Sequence, residues 1–147
     1  KEARAYIDGY LDRYPNVKKY MHDIVEEGKE KGFVTTMFMR RRYLPELKSR
    51  NFNIRSFGER VAMNTPIQGS AADIIKIAMV KVHGELKKRK LKSRLILQVH
   101  DELIVETFKD EKEEVEKILL EGMQNAVSLK VPLVVEIKSG SNWYETK

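Results

Sequence analysis

Arg94-Leu95-Ile96-Leu97-Gln98-Val99-His100-Asp101-Glu102-Leu103-Ile104-Val105-Glu106-Thr107 sets two short apolar runs on either side of three polar residues. The runs Arg94 to Val99 and Leu103 to Thr107 have the composition of strands, and a separation of about three residues makes them a tight β-hairpin. His100, Asp101 and Glu102 then fall at its tip. A carboxylate at that point is held by two paired strands while its oxygens stay open to solvent, as a metal ligand requires. Asp is equally a favoured turn residue. The local pattern leaves both readings of Asp101 open.

Upstream of the hairpin, Ala71, Ile74, Ile75, Ala78, Val82 and Leu86 recur at helical spacing and end in the charged run Lys87-Lys88-Arg89-Lys90. Thr65-Pro66-Ile67-Gln68 has the form of this helix's amino terminus, with Thr as cap, Pro first and Gln third. A shorter helix is expected before it, from Ser56 to Asn64. If helical geometry survives Pro66, then Arg60, Asn64 and Gln68 lie along one face as a row of hydrogen-bond donors about 6 Å apart. Every correct base pair presents acceptors in the DNA minor groove, so such a row can grip a duplex of any sequence and sense misplaced pairs. The competing reading is structural. Gln68 would close a capping box with Thr65, and Arg60 would pair with Glu59 or a neighbouring helix.

The chain opens with two apolar stripes, Ala3, Tyr6, Ile7, Tyr10 and Leu11, then Val17, Met21, Ile24 and Val25, divided by Tyr14-Pro15. These predict a helical hairpin over residues 1–32, with Gly32 as its carboxy-terminal cap and the tyrosines Tyr6, Tyr10 and Tyr14 in the core. Phe33 to Phe38 reads as a strand entering a basic loop, Arg40-Arg41-Arg42-Tyr43-Leu44-Pro45. The three arginines either meet backbone phosphate or form a solvated loop. After the hairpin, Asp110 is placed to cap a helix with Val115, Ile118, Leu119, Gly122, Met123 and Ala126 inward. Leu133 to Lys138 follows as a strand. Helices interrupting hairpin-connected strands make an α+β domain with an antiparallel sheet backed by helices.

Bulk composition agrees. The 147 residues suit one domain, and 41% hydrophobic with 34% charged residues is too apolar for disorder. No apolar run approaches the length of a bilayer span, so no membrane association is expected. Lys and Arg number 28 against 22 Asp and Glu, a net charge of +6 that attracts polyanions. The absence of cysteine excludes disulfides, thiolate zinc sites and cysteine nucleophiles, and fits a reducing cytosol. With three histidines, a metal site has to rely on Asp and Glu oxygens, which suit hard ions such as Mg²⁺. Lys1-Glu2-Ala3-Arg4 has no initiator Met and no signal-type apolar core, which reads as a piece of a longer chain.

Taken together, Gln98-Val99-His100-Asp101-Glu102-Leu103 resembles the carboxylate turn of bacterial family A DNA polymerases, the DNA polymerase I type. Glu59-Arg60 through Asn64-Thr65-Pro66-Ile67-Gln68-Gly69-Ser70-Ala71-Ala72-Asp73-Ile74 resembles the long palm helix before that turn. The likeness continues through Arg40-Arg41-Arg42-Tyr43-Leu44-Pro45, Ser49-Arg50-Asn51 and Gly140-Ser141-Asn142-Trp143-Tyr144, and so covers essentially the whole chain. Met39, before the arginines, departs from the usual residue of Bacillus-like members.

The resemblance implies an antiparallel palm sheet with a catalytic β-hairpin, residues 33–147 being palm and 1–32 a helical hairpin following the fingers. It implies template-directed addition of deoxynucleotides to a primer 3′-hydroxyl with two Mg²⁺ ions. Asp101 would be a metal ligand and Glu102 its support. His100 would contact the primer end, and Arg60, Asn64 and Gln68 would hold primer and template. The partners implied are primed template DNA, deoxynucleoside triphosphates and the amino-terminal portion of the polymerase, in a bacterial cytoplasm. The family carries its first catalytic aspartate and its triphosphate-binding helix amino-terminal to this stretch, so the chain alone is expected not to polymerise. Two rival readings are a non-catalytic duplex DNA-binding module, indifferent to Mg²⁺ and Asp101, and a metal-dependent nuclease on the same carboxylates.

Overall fold

Proline at the first position of a helix costs nothing, since its missing N–H has no partner there. Pro15 uses that freedom: helix α1 (Glu2–Arg13) stops short of it, and helix α2 (Pro15–Lys31) begins on it, with Tyr14 alone between them. A computed structural model describes residues 2–146 of the chain, which fall into one unit ending at Ser70 and another beginning at Ala71.

In the first unit the expected helices α1 and α2 are present, but the tyrosines are not core. Tyr6, Tyr10 and Tyr14 are 75%, 55% and 47% exposed, and no residue of α1 is buried. Helical spacing identifies a shared face; it does not supply the surface that covers it. α2 ends as expected at Gly32, whose φ of 77° is the left-handed cap conformation and whose N–H bonds the Gly28 carbonyl. Gly28 is required for a different reason. A Cβ there would stand 2.9 Å from Leu47 Cδ1 and 3.2 Å from Val34 Cγ1, so its bare backbone lets α2 lie against the strand beside it.

That strand, β1 (Phe33–Thr35), pairs antiparallel with β2 (Arg41–Tyr43), Val34 opposite Arg42. The basic stretch expected as a loop, Arg40 to Pro45, is therefore a strand over Arg41–Tyr43. Arg41 gains an apolar contact by lying 4.7 Å over the Phe33 ring. Val25, Val34, Leu44, Leu47 and Ala62 form the unit's buried core. Helix α3 (Phe52–Asn64) starts four residues before the expected Ser56, because the Asn51 side chain caps it, accepting from the N–H groups of Asn53 and Ile54 at 2.9 and 3.4 Å. Tyr20 ties α2 to the end of α3 by donating its hydroxyl to the Met63 carbonyl at 3.0 Å.

In the second unit, helix α4 (Ser70–Lys88) and helix α5 (Lys112–Gln124) bury Val82, Leu86, Val115 and Ile118 against each other, with Leu95, Leu103 and Val105 packed on them. The last three belong to the expected hairpin, strands β3 (Arg94–Val99) and β4 (Glu102–Glu106). Lys81 Nζ donates to the carbonyls of Asn125 and Ala126, satisfying acceptors that the end of α5 leaves open. Asp110 does not cap α5. It lies in a 3₁₀ turn (Lys109–Glu111), and the helix has no side-chain cap. Leu133 to Lys138, expected as a strand, joins no sheet, although its residues alternate between half-buried and exposed as a strand's would. The α+β class holds, with the antiparallel pairing among the described residues in two small ladders, β1–β2 and β3–β4.

Candidate functional site

The hairpin register sets the carboxylate. Val99 stands opposite Glu102, which leaves His100 and Asp101 as a two-residue loop. His100 takes a φ of 49°, a left-handed conformation that histidine tolerates better than most residues. Gln98 pins the loop by donating its Nε2 hydrogen to the His100 carbonyl at 2.6 Å. Asp101 and Glu102 are both exposed beside it. Gln98 had no role assigned from sequence. Its signal was position alone, an amide two residues before a loop whose backbone needs holding.

One irregularity re-aims the strand. Leu95 pairs with Val105, but Leu97 pairs with Ile104, so Ile96 is an extra residue in β3 and a β-bulge. The bulge turns Leu97 outward, 44% exposed, while Leu95 stays on the core. At the open end of the hairpin, Glu111 accepts from the N–H groups of Lys92 and Ser93, both at 2.9 Å, and from the Ser93 hydroxyl at 2.6 Å. Ser93 Oγ in turn accepts from the Phe108 N–H at 3.0 Å, so the residues before β3 and after β4 are fastened together.

These bonds favour ionised Glu111. The Lys92 N–H, then the Ser93 hydroxyl, hold its carboxyl below the ordinary 4.5. A folded-state pKa that is depressed contributes stability present above the unfolded value and lost as pH falls through the folded one. Glu111→Gln is therefore expected to destabilise the chain at neutral pH and to lose that deficit in acid. Urea unfolding of parent and variant at about pH 7 and about pH 3 checks this. A deficit of equal size at both would contradict it.

The donor row occupies the first unit. Pro66 has no N–H for the helix ladder, and its ring would collide with the carbonyl one turn back. The chain answers by widening into a π-helical turn, Thr65–Gly69, that continues α3 with no break in helical backbone through Ser70. Thr65-Pro66 is thus not a helix start. Thr65 Oγ1 donates back to the Val61 carbonyl at 2.7 Å, and no capping box forms with Gln68. Arg60, Asn64 and Gln68 are all exposed on this continuous helix, the wider turn rotating Gln68 somewhat from a strict four-residue row. Arg60 donates to Ser56 Oγ at 3.1 Å, and Glu59 faces Lys29 at 4.0 Å.

The arginines differ from one another. Arg40 donates a guanidinium hydrogen to the Gly69 carbonyl at 3.1 Å, Arg41 covers Phe33, and Arg42 is exposed opposite Val34. Among the described residues no group of three or more His, Asp or Glu side chains is placed to hold a metal ion. A site based on Asp101 is therefore a partial donor set of exposed carboxylate oxygen. Mg²⁺ accepts such a set, since it commonly takes one or two carboxylates together with water and substrate phosphates. No helix among the described residues is long and apolar enough to cross a membrane.

The model of DNA polymerase family A matches residues 1–145. DNA polymerase I of Bacillus subtilis is 60% identical over all 147 residues, and those of Caldicellulosiruptor bescii and Geobacillus stearothermophilus are 56% and 55% identical over the same span. The chain spans 17% of the length of each of these relatives. Among solved structures, the polymerase domain of Pol1 from M. smegmatis, in complex with DNA primer-template and dNTP, superposes with a TM-score of 0.95 at 46% identity, over 99% of this chain and 26% of that one.

Proposed function

This chain belongs to DNA polymerase family A, and from that membership we propose that it is a palm segment of a DNA-directed DNA polymerase, working on primed template and deoxynucleoside triphosphates with the polymerase's amino-terminal portion. The observation that carries the proposal is the exposed Asp101 in a two-residue loop fixed by Gln98 and by the β3–β4 register. Residues 1–32 are proposed to follow the fingers and 33–147 to form palm, in the cytoplasm of a bacterium.

Asp101 is the proposed Mg²⁺ ligand, with Glu102 beside it as support. When bound, divalent ions would lower the cost of ionising the primer 3′-hydroxyl and of charge passing to the departing pyrophosphate. This chain's own part is placement. The hairpin holds its acid with little freedom to lose, so orientation is settled before substrate arrives. His100, presented by the same loop, is proposed to meet the primer end. Arg60, Asn64 and Gln68 are proposed to donate to purine N3 and pyrimidine O2 in the minor groove, a contact every correct pair offers and a misplaced pair withholds. Arg42, exposed on β2, is the arginine best placed for backbone phosphate, whereas Arg40 and Arg41 have partners within the unit.

The test is reassembly. Mixing this chain with the amino-terminal portion of the polymerase is expected to give Mg²⁺-dependent primer extension that neither part gives alone. Salt-dependent duplex binding without extension would favour the binding module, and strand cleavage would favour the nuclease. In the same assembly, Gln68→Ala is expected to weaken primed-duplex binding by about 1 kcal/mol, the scale of one lost hydrogen bond. A titration against labelled primed DNA measures it, and unchanged affinity would remove Gln68 from the groove.

A further inference from the structure

The π turn raises a question that the donor row alone does not answer: what keeps a helix widened at the point where Gln68 projects. A π turn is a rare backbone state, and a hydroxyl bonding the carbonyl four residues back bends a helix further. Ser70 makes that bond, donating Oγ–H to the Pro66 carbonyl. Its oxygen is then positioned to accept, and it accepts from the Met37 N–H at 2.9 Å. Met37 lies in the tight turn joining β1 to β2. That turn is built on Thr36, whose Oγ1 accepts from the N–H groups of Phe38 and Arg40, both at 3.3 Å, and whose N–H donates to the Arg40 carbonyl at 3.0 Å. Thr36 and Ser70 are both buried, at 2% and 8% exposure. From the far side of the turn, Arg40 reaches the Gly69 carbonyl.

Gly69 completes the contact. A Cβ there would lie 2.7 Å from Thr36 Cγ2, closer than side chains approach, so the turn meets the helix only because residue 69 has no side chain. The turn thus holds the carboxy-terminal end of the π segment directly, at Ser70 through the Met37 N–H and at Gly69 through Arg40 and Thr36. Ser70 carries that hold back to the Pro66 carbonyl, so that Pro66 and Gly69 are both fixed. Gln68 lies between them.

We propose that the β1–β2 turn is a positioning element for template-primer recognition: Thr36, Arg40 and Ser70 fix the π segment so that Gln68 meets the minor groove in one orientation and distinguishes a paired from a mispaired primer end. Arg40 acts on the helix rather than on phosphate. The inference rests on the proposed groove contact of Gln68.

The experiment measures extension of matched and mispaired primer ends by the complete polymerase carrying this segment, with thermal unfolding followed for each variant. Gln68→Ala is expected to lower the matched-over-mispaired ratio about fivefold, the factor for one hydrogen bond. Ser70→Ala and Gly69→Ala are expected to lower it equally, and neither to add to Gln68→Ala when combined with it. Two rescues separate positioning from general destabilisation. Ser70→Thr keeps the hydroxyl and retains the ratio. Thr36→Ser removes the methyl that a Cβ at 69 would strike, and restores the ratio to Gly69→Ala. Should Gly69→Ala not fold, the Ala and Thr variants of Ser70 decide alone. Losses that add to Gln68→Ala, or that Ser70→Thr fails to prevent, overturn the positioning role while leaving the groove contact standing. No change in Gln68→Ala itself overturns the groove contact, and the positioning role with it.

Discussion

Asp101→Ala in the reassembled polymerase is expected to slow primer extension about 10³-fold, the rate equivalent of the several kcal/mol that a metal contributes to a charged transition state. Affinity for primed duplex is expected to stay within about twofold, because the donor row in the first unit does not depend on this acid. Single-turnover extension at saturating deoxynucleoside triphosphate, with duplex binding measured in parallel, separates the two quantities. Asp101→Asn is the stricter variant, since it keeps the side chain's size and its turn-forming chemistry while removing the charge. If Asp101 serves only to form the turn, Asn should preserve extension. A fall with Asn as large as with Ala is the outcome the metal-ligand account requires.

Leu44→Ala is expected to have the largest effect on stability, about 3 kcal/mol, within the range for deleting a buried leucine side chain. Leu44 is 1% exposed at the centre of the cluster formed by Val25, Val34, Leu47 and Ala62, and its N–H bonds the Gly32 carbonyl at 2.9 Å. Ala62 belongs to α3, so this core also supports the helix that carries Arg60, Asn64 and Gln68. Tyr43→Ala, one residue away and 65% exposed, is the control and is expected to cost less than about 1 kcal/mol. Urea midpoints for the two variants should therefore differ widely. Similar midpoints would mean that the cluster is not what holds the first unit together.

How far sequence reaches is clearest in particular elements. The β3–β4 hairpin was legible because two short apolar runs flank three polar residues, and the α4 and α5 faces because Val82, Leu86, Val115 and Ile118 keep helical spacing. The bulge at Ile96 was not, since one extra apolar residue in an apolar run leaves no mark. Thr65-Pro66 was misread because the same letters serve a helix start and a π turn. What separates them is whether Thr65 bonds forward or back to Val61, and that depends on α3 already being there. The earlier start of α3 had a readable signal in Asn51, a good cap, which the apolar pattern obscured. β2 was missed because two of its three residues are charged and all three are exposed, and its pairing rests on Phe33, Val34 and Thr35 across the ladder. The tyrosines of α1 and the alternating run Leu133 to Lys138 show the opposite limit. A buried face or a strand needs a partner surface, and a pattern within one segment does not provide it.

For the site, spacing offered a shared helical face for Arg60, Asn64 and Gln68, and turn chemistry offered a hairpin-tip position for Asp101, while the choice between their functional and structural readings came from the family resemblance. The residues that hold them were not legible. Gln98, Glu111, Thr36 and Ser70 act through bonds to backbone groups, and such bonds depend on where the chain returns rather than on local composition.

The central claim is that Asp101 offers its oxygens to a divalent ion at the primer end, and it is tested most directly by locating that ion. Crystals of the reassembled polymerase with primed DNA and a non-hydrolysable deoxynucleoside triphosphate, soaked in Mn²⁺, should show an anomalous peak about 2.1 Å from an Asp101 carboxylate oxygen. A peak elsewhere, with Asp101 ion-paired to a lysine or arginine, would contradict the account.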